Sequence, residues 1–217
     1  MFTVADLQVR EAAEGEAPSR TITGYAILFG VPSAPLWQDE DSEAREIIAA
    51  GAVTKEMLDG MDIKMTMYHN RQRLLARSNK GVGTLSYEVD EKGVKFTFDA
   101  PNTQHGGEAL ELIRRGDIGG CSFIFSTRYY DDACVSRSAA VVNGVTMITY
   151  TVKAITGIYD FTITDNPAYP DTSVEAREFV NGLKEPEEPQ KPTATEEERK
   201  MREQVREMRH AAQINII

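Results

Sequence analysis

The sequence predicts one α+β domain that is dominated by β-strands and followed by a charged C-terminal extension. Several segments alternate apolar and polar residues with a period of two, which is typical of half-buried strands. Helical signals are fewer: Thr54 can cap a short helix through Leu58, and a second helix is predicted to end at Gly116. With 217 residues and 41% hydrophobic content, the chain can bury one substantial core.

The strand signals lie along most of the first 165 residues. Strands are predicted at Leu7–Arg10, Thr21–Gly30, Asp62–Asn70, Leu85–Val89, Val94–Phe98, a Val141–Val152 hairpin through Asn143-Gly144, and Ile155–Thr164. Residues 31–45 hold two prolines and an acidic cluster, and they are predicted to form an exposed loop. The segment from Thr127 to Ser138 is predicted to be a polar connection. Pro101-Asn102-Thr103 offers a cap for the second helix.

The C-terminal part of the chain differs in composition from the rest. We predict one main domain over residues 1–180, a Pro/Glu linker over 181–194 and a charged helix or tail over 195–217. Met201, Val205, Met208 and Ala212 form a narrow apolar stripe at helical spacing. This stripe suits a weak homo-oligomer or partner contact, and a solitary solvated helix is the alternative.

Composition argues against several classes of function. The net charge of −10 disfavours a nucleic-acid surface, and no apolar run approaches the roughly 20 residues that span a bilayer. The N-terminus lacks the features of a signal peptide, so we expect a cytoplasmic protein. Three scattered histidines and two cysteines, Cys121 and Cys134, show no metal-ligand spacing, and no cofactor is expected.

The segment Gly116–Ser126 is the strongest candidate for a site. Three glycines precede a short apolar run, so Ser122 is predicted at the beginning of a strand, beside backbone that can approach a ligand closely. A nucleophilic hydroxyl would suit that place, with neighbouring N–H groups for a developing oxyanion. The alternative is a serine that merely belongs to a glycine-rich turn. Ser126 is a second hydroxyl on the same strand, interpreted as structural.

Two further polar residues interrupt apolar patterns. Ile63, Met65, Met67 and His69 share one face by alternation, so His69 is either a buried, hydrogen-bonded histidine or a general base. Asp160 lies in an apolar strand in which Ile158, Asp160 and Thr162 share one face. It is either a charge on an edge strand or a carboxylate that orients a histidine.

Six short blocks in order resemble one known family. They are Thr21–Phe29, Gly51-Ala52-Val53, Tyr68-His69-Asn70, Gly93–Phe96, Arg115–Phe123 and Asp160–Pro170. Together they resemble the tailed-phage prohead (head-maturation) serine proteases, which are distantly related to the herpesvirus assemblins. The resemblance covers roughly residues 20–178.

The resemblance implies a mixed β-barrel core surrounded by a few helices. It assigns Ser122 as nucleophile, His69 as general base and Asp160, where the family usually carries Glu, as the orienting carboxylate. His105 is a competing third member by analogy with the second histidine of the assemblins. The implied substrates are the scaffold, the scaffolding segment of the major capsid protein and the protease itself, inside an assembling procapsid in the host cytoplasm. The exposed segment Lys184–Thr195 is a candidate for self-cleavage.

Three other functions stay open on the sequence. Cys121 could replace Ser122 as the nucleophile, but adjacent strand residues face opposite ways, so only one of them can meet His69. The chain could be a non-enzymatic scaffolding protein built on a protease-like domain. It could also be a β-barrel binding module, for which the sequence carries no ligand signal.

Overall fold

The computed structural model describes residues 7–9, 19–167 and 169. The predicted linker 181–194, the tail 195–217 and the domain boundary near residue 180 lie outside the described residues. The strands are β1 (Gln8–Val9), β2 (Thr21–Leu28), β3 (Trp37–Gln38), β4 (Ser42–Ile48), β5 (Asp62–Met67), β6 (Asn70–Asn79), β7 (Val82–Gly83), β8 (Ser86–Val89), β9 (Gly93–Asp99), β10 (Gly120–Ser126), β11 (Val135–Val142), β12 (Val145–Val152) and β13 (Gly157–Thr164). The helices are α1 (Lys55–Asp59) and α2 (Gln104–Arg115).

The described strands form three sheets. Their orders are β1-β2-β9-β8, β10-β13-β5-β6-β7 and β11-β12-β4-β3. Strand β13 runs parallel to β5 and strand β12 runs parallel to β4, whereas the other pairs are antiparallel. The described chain is mostly strand with two helices, which agrees with the predicted α+β class. The predicted barrel is not confirmed. In the described chain β10 packs beside β2, but no ladder of backbone hydrogen bonds joins the two strands, and the three sheets stay separate.

The predicted alternation holds in the strands that line the core. In β2, β5 and β9, alternate residues such as Ile22, Ile63, Met65 and Phe96 have no exposed surface, and further residues at one end of each strand are buried as well. These side chains belong to one hydrophobic cluster that also includes residues of β10 and β13. Burial of such side chains stabilises each by about 1.5–3 kcal/mol relative to exposure. Packing of its apolar face in the core therefore stabilises the sheet β10-β13-β5-β6-β7 and fixes the position of its opposite, polar face.

Both helices begin and end as the sequence predicts. The Thr54 hydroxyl accepts a hydrogen bond from the Met57 amide, and the Thr103 hydroxyl accepts one from the Gly106 amide. Helix α2 ends at Gly116, whose φ of 76° is the left-handed conformation that favours glycine. Among the described residues, neither helix is long and apolar enough to cross a membrane.

Two local predictions are wrong and one strand was not predicted, all for one reason. Residues 31–45 contain β3 and the start of β4, the polar segment 70–79 is the unpredicted strand β6, and β11 begins at Val135, within the predicted polar connection. These strands have much exposed or half-buried surface, so their local composition resembles that of loops. Pairing with distant strands, such as β4 with β12, supplies the order that local propensity does not.

Gly106 and Gly107 are neighbours in α2 that differ in their surroundings. A Cβ atom at Gly106 would lie 2.0 Å from the Pro101 carbonyl oxygen, whereas one at Gly107 would meet nothing within 4 Å. We expect Gly107→Ala to raise the free energy of unfolding by about 0.4–1 kcal/mol, because alanine favours helix and restricts the unfolded chain. Gly106→Ala should lower it by a larger amount, because the Pro101 backbone must move. Urea denaturation of both variants measures the difference, and equal effects would contradict this packing.

Candidate active site

A row of three hydroxyl side chains crosses the second sheet. Ser122 on β10 is the Cα partner of Thr162 on β13, and Thr162 is the partner of Thr66 on β5. Residues paired side by side project from the same face of a sheet, so the three side chains are neighbours. Ser122 is 5% exposed, and Thr66 and Thr162 are fully buried. The sheet thus carries a buried polar row on the face opposite its apolar core.

Cys121 lies on the core side of the same strand. It belongs to the hydrophobic cluster together with Phe161 and Ile163 of the neighbouring strand. Burial raises the pKa of the Cys121 thiol far above its ordinary value, so the thiol stays protonated. A protonated thiol that faces the core is a poor nucleophile, and the geometry favours Ser122 over Cys121.

His69 is placed by a tight turn and not by a strand. Strand β5 ends at Met67, which pairs with Asn70, and the two residues between them have φ angles of 57° (Tyr68) and 54° (His69). Two consecutive positive φ angles characterise a type I′ hairpin turn, which usually contains Asn and Gly. The predicted position of His69 on the core-facing row of β5 is therefore wrong. Its ring leaves that row and is 35% exposed.

Two hydrogen bonds hold this strained turn against β13. The Tyr68 amide donates to the Ile163 carbonyl oxygen at 3.1 Å, and the His69 amide donates to Thr162 Oγ1 at 2.8 Å. Bulky residues in the left-handed region cost free energy and persist where surrounding contacts hold them. The turn therefore places His69 beside Thr162, which is the cross-strand partner of Ser122.

Asp160 and His69 form a hydrogen-bonded pair. Asp160 Oδ2 lies 2.7 Å from His69 Nδ1, so the aspartate side chain is long enough to reach the histidine. An ionised carboxylate can only accept, so with Asp160 ionised the hydrogen of this bond lies on Nδ1. Burial raises the pKa of Asp160 above its ordinary value, and the hydrogen bonds from His69 and Thr66 oppose this rise. Asp160 is 7% exposed on an interior strand, so the interpretation as an edge-strand charge facing water is wrong.

A β-bulge aims Asp160 at this face. Ile124 pairs with Asp160, but the next residue of β10, Phe125, pairs with Ile158, which leaves Tyr159 as an extra residue. Ile158 is 1% exposed and lies in the core, whereas Tyr159 is 50% exposed. The predicted grouping of Ile158 with Asp160 on one face is wrong. The bulge allows the strand to bury Ile158 and still present Asp160 to the histidine.

The glycine-rich segment before Ser122 is approached closely by a residue of the same chain, whereas the sequence predicted a close approach to a ligand. A Cβ atom at Gly120 would lie 2.6 Å from Pro167, which follows β13. No hydrogen bond to the Ser122 hydroxyl is found among the described residues. The hydroxyl of Ser122 is therefore not committed to a structural bond in the described part of the chain.

The remaining candidates lie in other environments. His105 is in α2, where its Nδ1 is 3.6 Å from Glu108 Oε2. The hydrogen-bond partner of His69 Nδ1 is Asp160 and not His105. The Ser126 hydroxyl contacts the hydroxyls of Thr156 and Tyr159 at 3.0 Å each, which agrees with its structural interpretation. Sequence reasoning missed Thr66 and Thr162. The only signal in the sequence was that each of these hydroxyls lies between two apolar residues of a strand.

The raised pKa of Asp160 predicts a pH-dependent stability difference. The folded state binds the proton more tightly than the unfolded state, so ionisation of Asp160 lowers the free energy of unfolding as the pH rises from 3.8 through the raised value. Asp160→Asn removes this loss. We expect the variant to be more stable than the parent near neutral pH, with a difference that fades below about pH 4.

Asp62→Asn is the matched control with the opposite sign. Hydrogen bonds from Arg77 and Lys64 hold the pKa of Asp62 well below its usual range, so ionised Asp62 favours the folded state. This substitution should lower stability near neutral pH, and its effect should also fade in acid. Urea denaturation at several pH values measures both. A destabilised Asp160→Asn variant at neutral pH would contradict the burial argument.

Comparison with protein-family sequence models gives a match over most of the chain. Residues 5–185 match the sequence model of a family described as caudovirus prohead serine protease. No curated protein and no solved structure matches significantly. The family match includes every residue of the polar row, the turn and the bulge described above. The chain therefore belongs to the caudovirus prohead serine protease family.

Proposed function

We propose that this protein is a serine endopeptidase of phage head maturation in which Ser122 is the nucleophile, His69 the general base and Asp160 the orienting carboxylate. Membership of the family supports a serine peptidase that acts in head maturation. One observation carries the residue assignment. His69 donates its ring hydrogen to Asp160 at 2.7 Å and its amide hydrogen to Thr162, which is the cross-strand partner of Ser122.

The proposed chemistry follows from the tautomer of His69. With hydrogen on Nδ1, the Nε2 lone pair takes the proton of the Ser122 hydroxyl as Oγ attacks the peptide carbonyl carbon. The C–N bond then breaks, and the imidazolium returns the proton to the leaving amine. Water attacks the acyl-enzyme by the same proton route. Asp160 stabilises the transient imidazolium, and backbone N–H groups of 120–123 are proposed to bind the oxyanion.

The proposed substrates are proteins of the assembling procapsid. They are the scaffold or the scaffolding segment of the major capsid protein, and the protease itself within Lys184–Thr195. Cleavage would clear the interior before DNA packaging, in the cytoplasm of the host. A scaffolding protein without activity, built on the same domain, is the competing function. It predicts association with capsid protein and no change in any mass.

Co-expression with the cognate major capsid protein tests both functions. We expect the parent chain to shorten the capsid protein or its own tail, and Ser122→Ala to slow this by a factor on the order of 10⁴ or more. Cys121→Ala is the matched control, because it removes the adjacent nucleophilic atom from the core face and should leave activity intact. Intact-mass spectrometry reads the products and locates the cleavage sites.

The outcomes separate the alternatives. Equal cleavage by the parent chain and Ser122→Ala would reject Ser122 as nucleophile, and loss of cleavage in Cys121→Ala alone would favour the thiol. Intact chains throughout, together with stable association, would favour the scaffolding function.

Asp160→Asn should change stability and activity in opposite directions. The amide donates a hydrogen where the carboxylate accepts one, so it favours the wrong tautomer of His69 and should lower the cleavage rate by roughly 10⁴-fold. The same variant is expected to be more stable near neutral pH. Rates measured beside Asp62→Asn control for a general effect of removing an acidic group from the sheet. An unchanged rate in Asp160→Asn would reject its proposed role.

A further inference from the structure

Two fully buried threonines lie between the three proposed catalytic residues. Thr66 and Thr162 have no exposed surface, on strands whose opposite face consists of apolar side chains. Valine has nearly the same shape as threonine and would occupy such positions without a polar atom. Burial of a hydroxyl is unfavourable unless it is hydrogen-bonded, so the partners of these two hydroxyls show what they do.

The Thr66 hydroxyl joins the carboxylate to the other threonine. Its Oγ1 lies 3.0 Å from Asp160 Oδ1, 3.3 Å from Asp160 Oδ2 and 3.0 Å from Thr162 Oγ1. A hydroxyl has a single hydrogen to donate, so Thr66 shares it between the carboxylate and Thr162. In the described part of the chain, His69 and Thr66 are the two donors to the Asp160 carboxylate.

The Thr162 hydroxyl holds the backbone of the histidine turn. Its Oγ1 accepts the His69 amide hydrogen at 2.8 Å. The ring of His69 is therefore fixed at Nδ1 by Asp160, its backbone is fixed by Thr162, and Thr66 contacts both of these partners. Because the turn has two residues in the left-handed region, loss of the Thr162 hydroxyl removes support from a conformation that is not intrinsically favoured, and loss of the Thr66 hydroxyl removes a bond from the carboxylate that holds the ring.

We propose that Thr66 and Thr162 are positioning residues: Thr66 sets the orientation of the Asp160 carboxylate, and Thr162 sets the turn that carries His69. Neither hydroxyl takes part in bond making. The consequence for catalysis rests on the proposed function, whereas the consequence for the geometry of His69 does not. Other charges around the carboxylate come from Arg71 on β6, which favours its ionised form, and from Lys64, its cross-strand neighbour on β5.

The first experiment compares cleavage rates of hydroxyl-deletion variants. Thr66→Val and Thr162→Val keep the side-chain volume and remove the hydroxyl. Each should lower kcat for cleavage of the cognate capsid protein by about tenfold to a hundredfold, because small misplacements of catalytic groups have effects of that size. KM should change little, because neither hydroxyl is expected to contact substrate. Thr66→Ser should restore most of the rate.

Thr97→Val is the matched control. The Thr97 hydroxyl pairs with the Thr23 hydroxyl at 3.1 Å across β9 and β2, in a different sheet. The Thr97→Val substitution removes one hydroxyl from a threonine pair that lies outside the candidate active site. The kcat of this variant should equal that of the parent chain. Thr66→Ala and Thr66→Ser differ by one hydroxyl, and this pair replaces the valine variant if that variant does not fold.

The second experiment needs no activity. The chain has three histidines, so the ring nitrogen resonances of His69 can be assigned by comparison with His69→Gln and His105→Gln. The parent chain should show the tautomer with hydrogen on Nδ1. The valine variants should shift toward a mixture of tautomers, and Thr66→Ser should not. Urea midpoints confirm that each variant is folded.

The two experiments together decide the proposal. Folded valine variants that keep both kcat and the ring resonances of the parent would overturn it. If the parent chain cleaves nothing, or if Ser122→Ala cleaves equally well, the proposed function fails, and the ring resonances still decide whether the threonines position His69.

Discussion

The parallel pairing of β13 with β5 is the constraint on which the rest of the site depends. It sets Thr162 beside Thr66 and places the turn after Met67 where the His69 amide reaches Thr162. A slip of one residue in this register would turn the polar row into the hydrophobic cluster and expose apolar side chains. The buried face of the sheet opposes such a slip, because it contains side chains with almost no exposed surface. Core packing on one face thus aligns the polar groups on the other.

The polar face carries groups that oppose folding. A mostly buried carboxylate has a raised pKa, and two bulky residues are held in the left-handed region beside it. Such features lower stability and cluster where a fixed arrangement of polar atoms serves function. Local hydrogen bonds offset part of this loss of stability. The Thr66 hydroxyl and the His69 ring N–H donate to the carboxylate, and the Thr162 hydroxyl accepts from the backbone of the turn. The residues that lower the stability of the fold are the ones that the proposed chemistry uses.

The bulge at Tyr159 shows how one strand satisfies two demands. Strict alternation would place Ile158 and Asp160 on one face, so either the core would lose an isoleucine or the site would lose its carboxylate. One extra residue removes the conflict, and Tyr159 takes the exposed position. The same alternation, undisturbed at Cys121 and Ser122, separates a core thiol from a hydroxyl on the polar face.

By itself, the sequence determined the strand-rich class, both helices with their caps, the hairpin at Asn143-Gly144 and the identity of Ser122, His69 and Asp160 as candidates, because these depend on local patterns, turn chemistry and short blocks that resemble a family. Only the tertiary structure decided the three separate sheets, the strands β3, β4 and β6, the turn that carries His69 and the partners of Thr66 and Thr162. The physical reason is that these depend on contacts between residues far apart in the chain. Residues 66 and 160, which share a hydrogen bond, are separated by 94 positions. A period of two predicts which face a side chain takes, but neither where a strand ends nor where a bulge interrupts it.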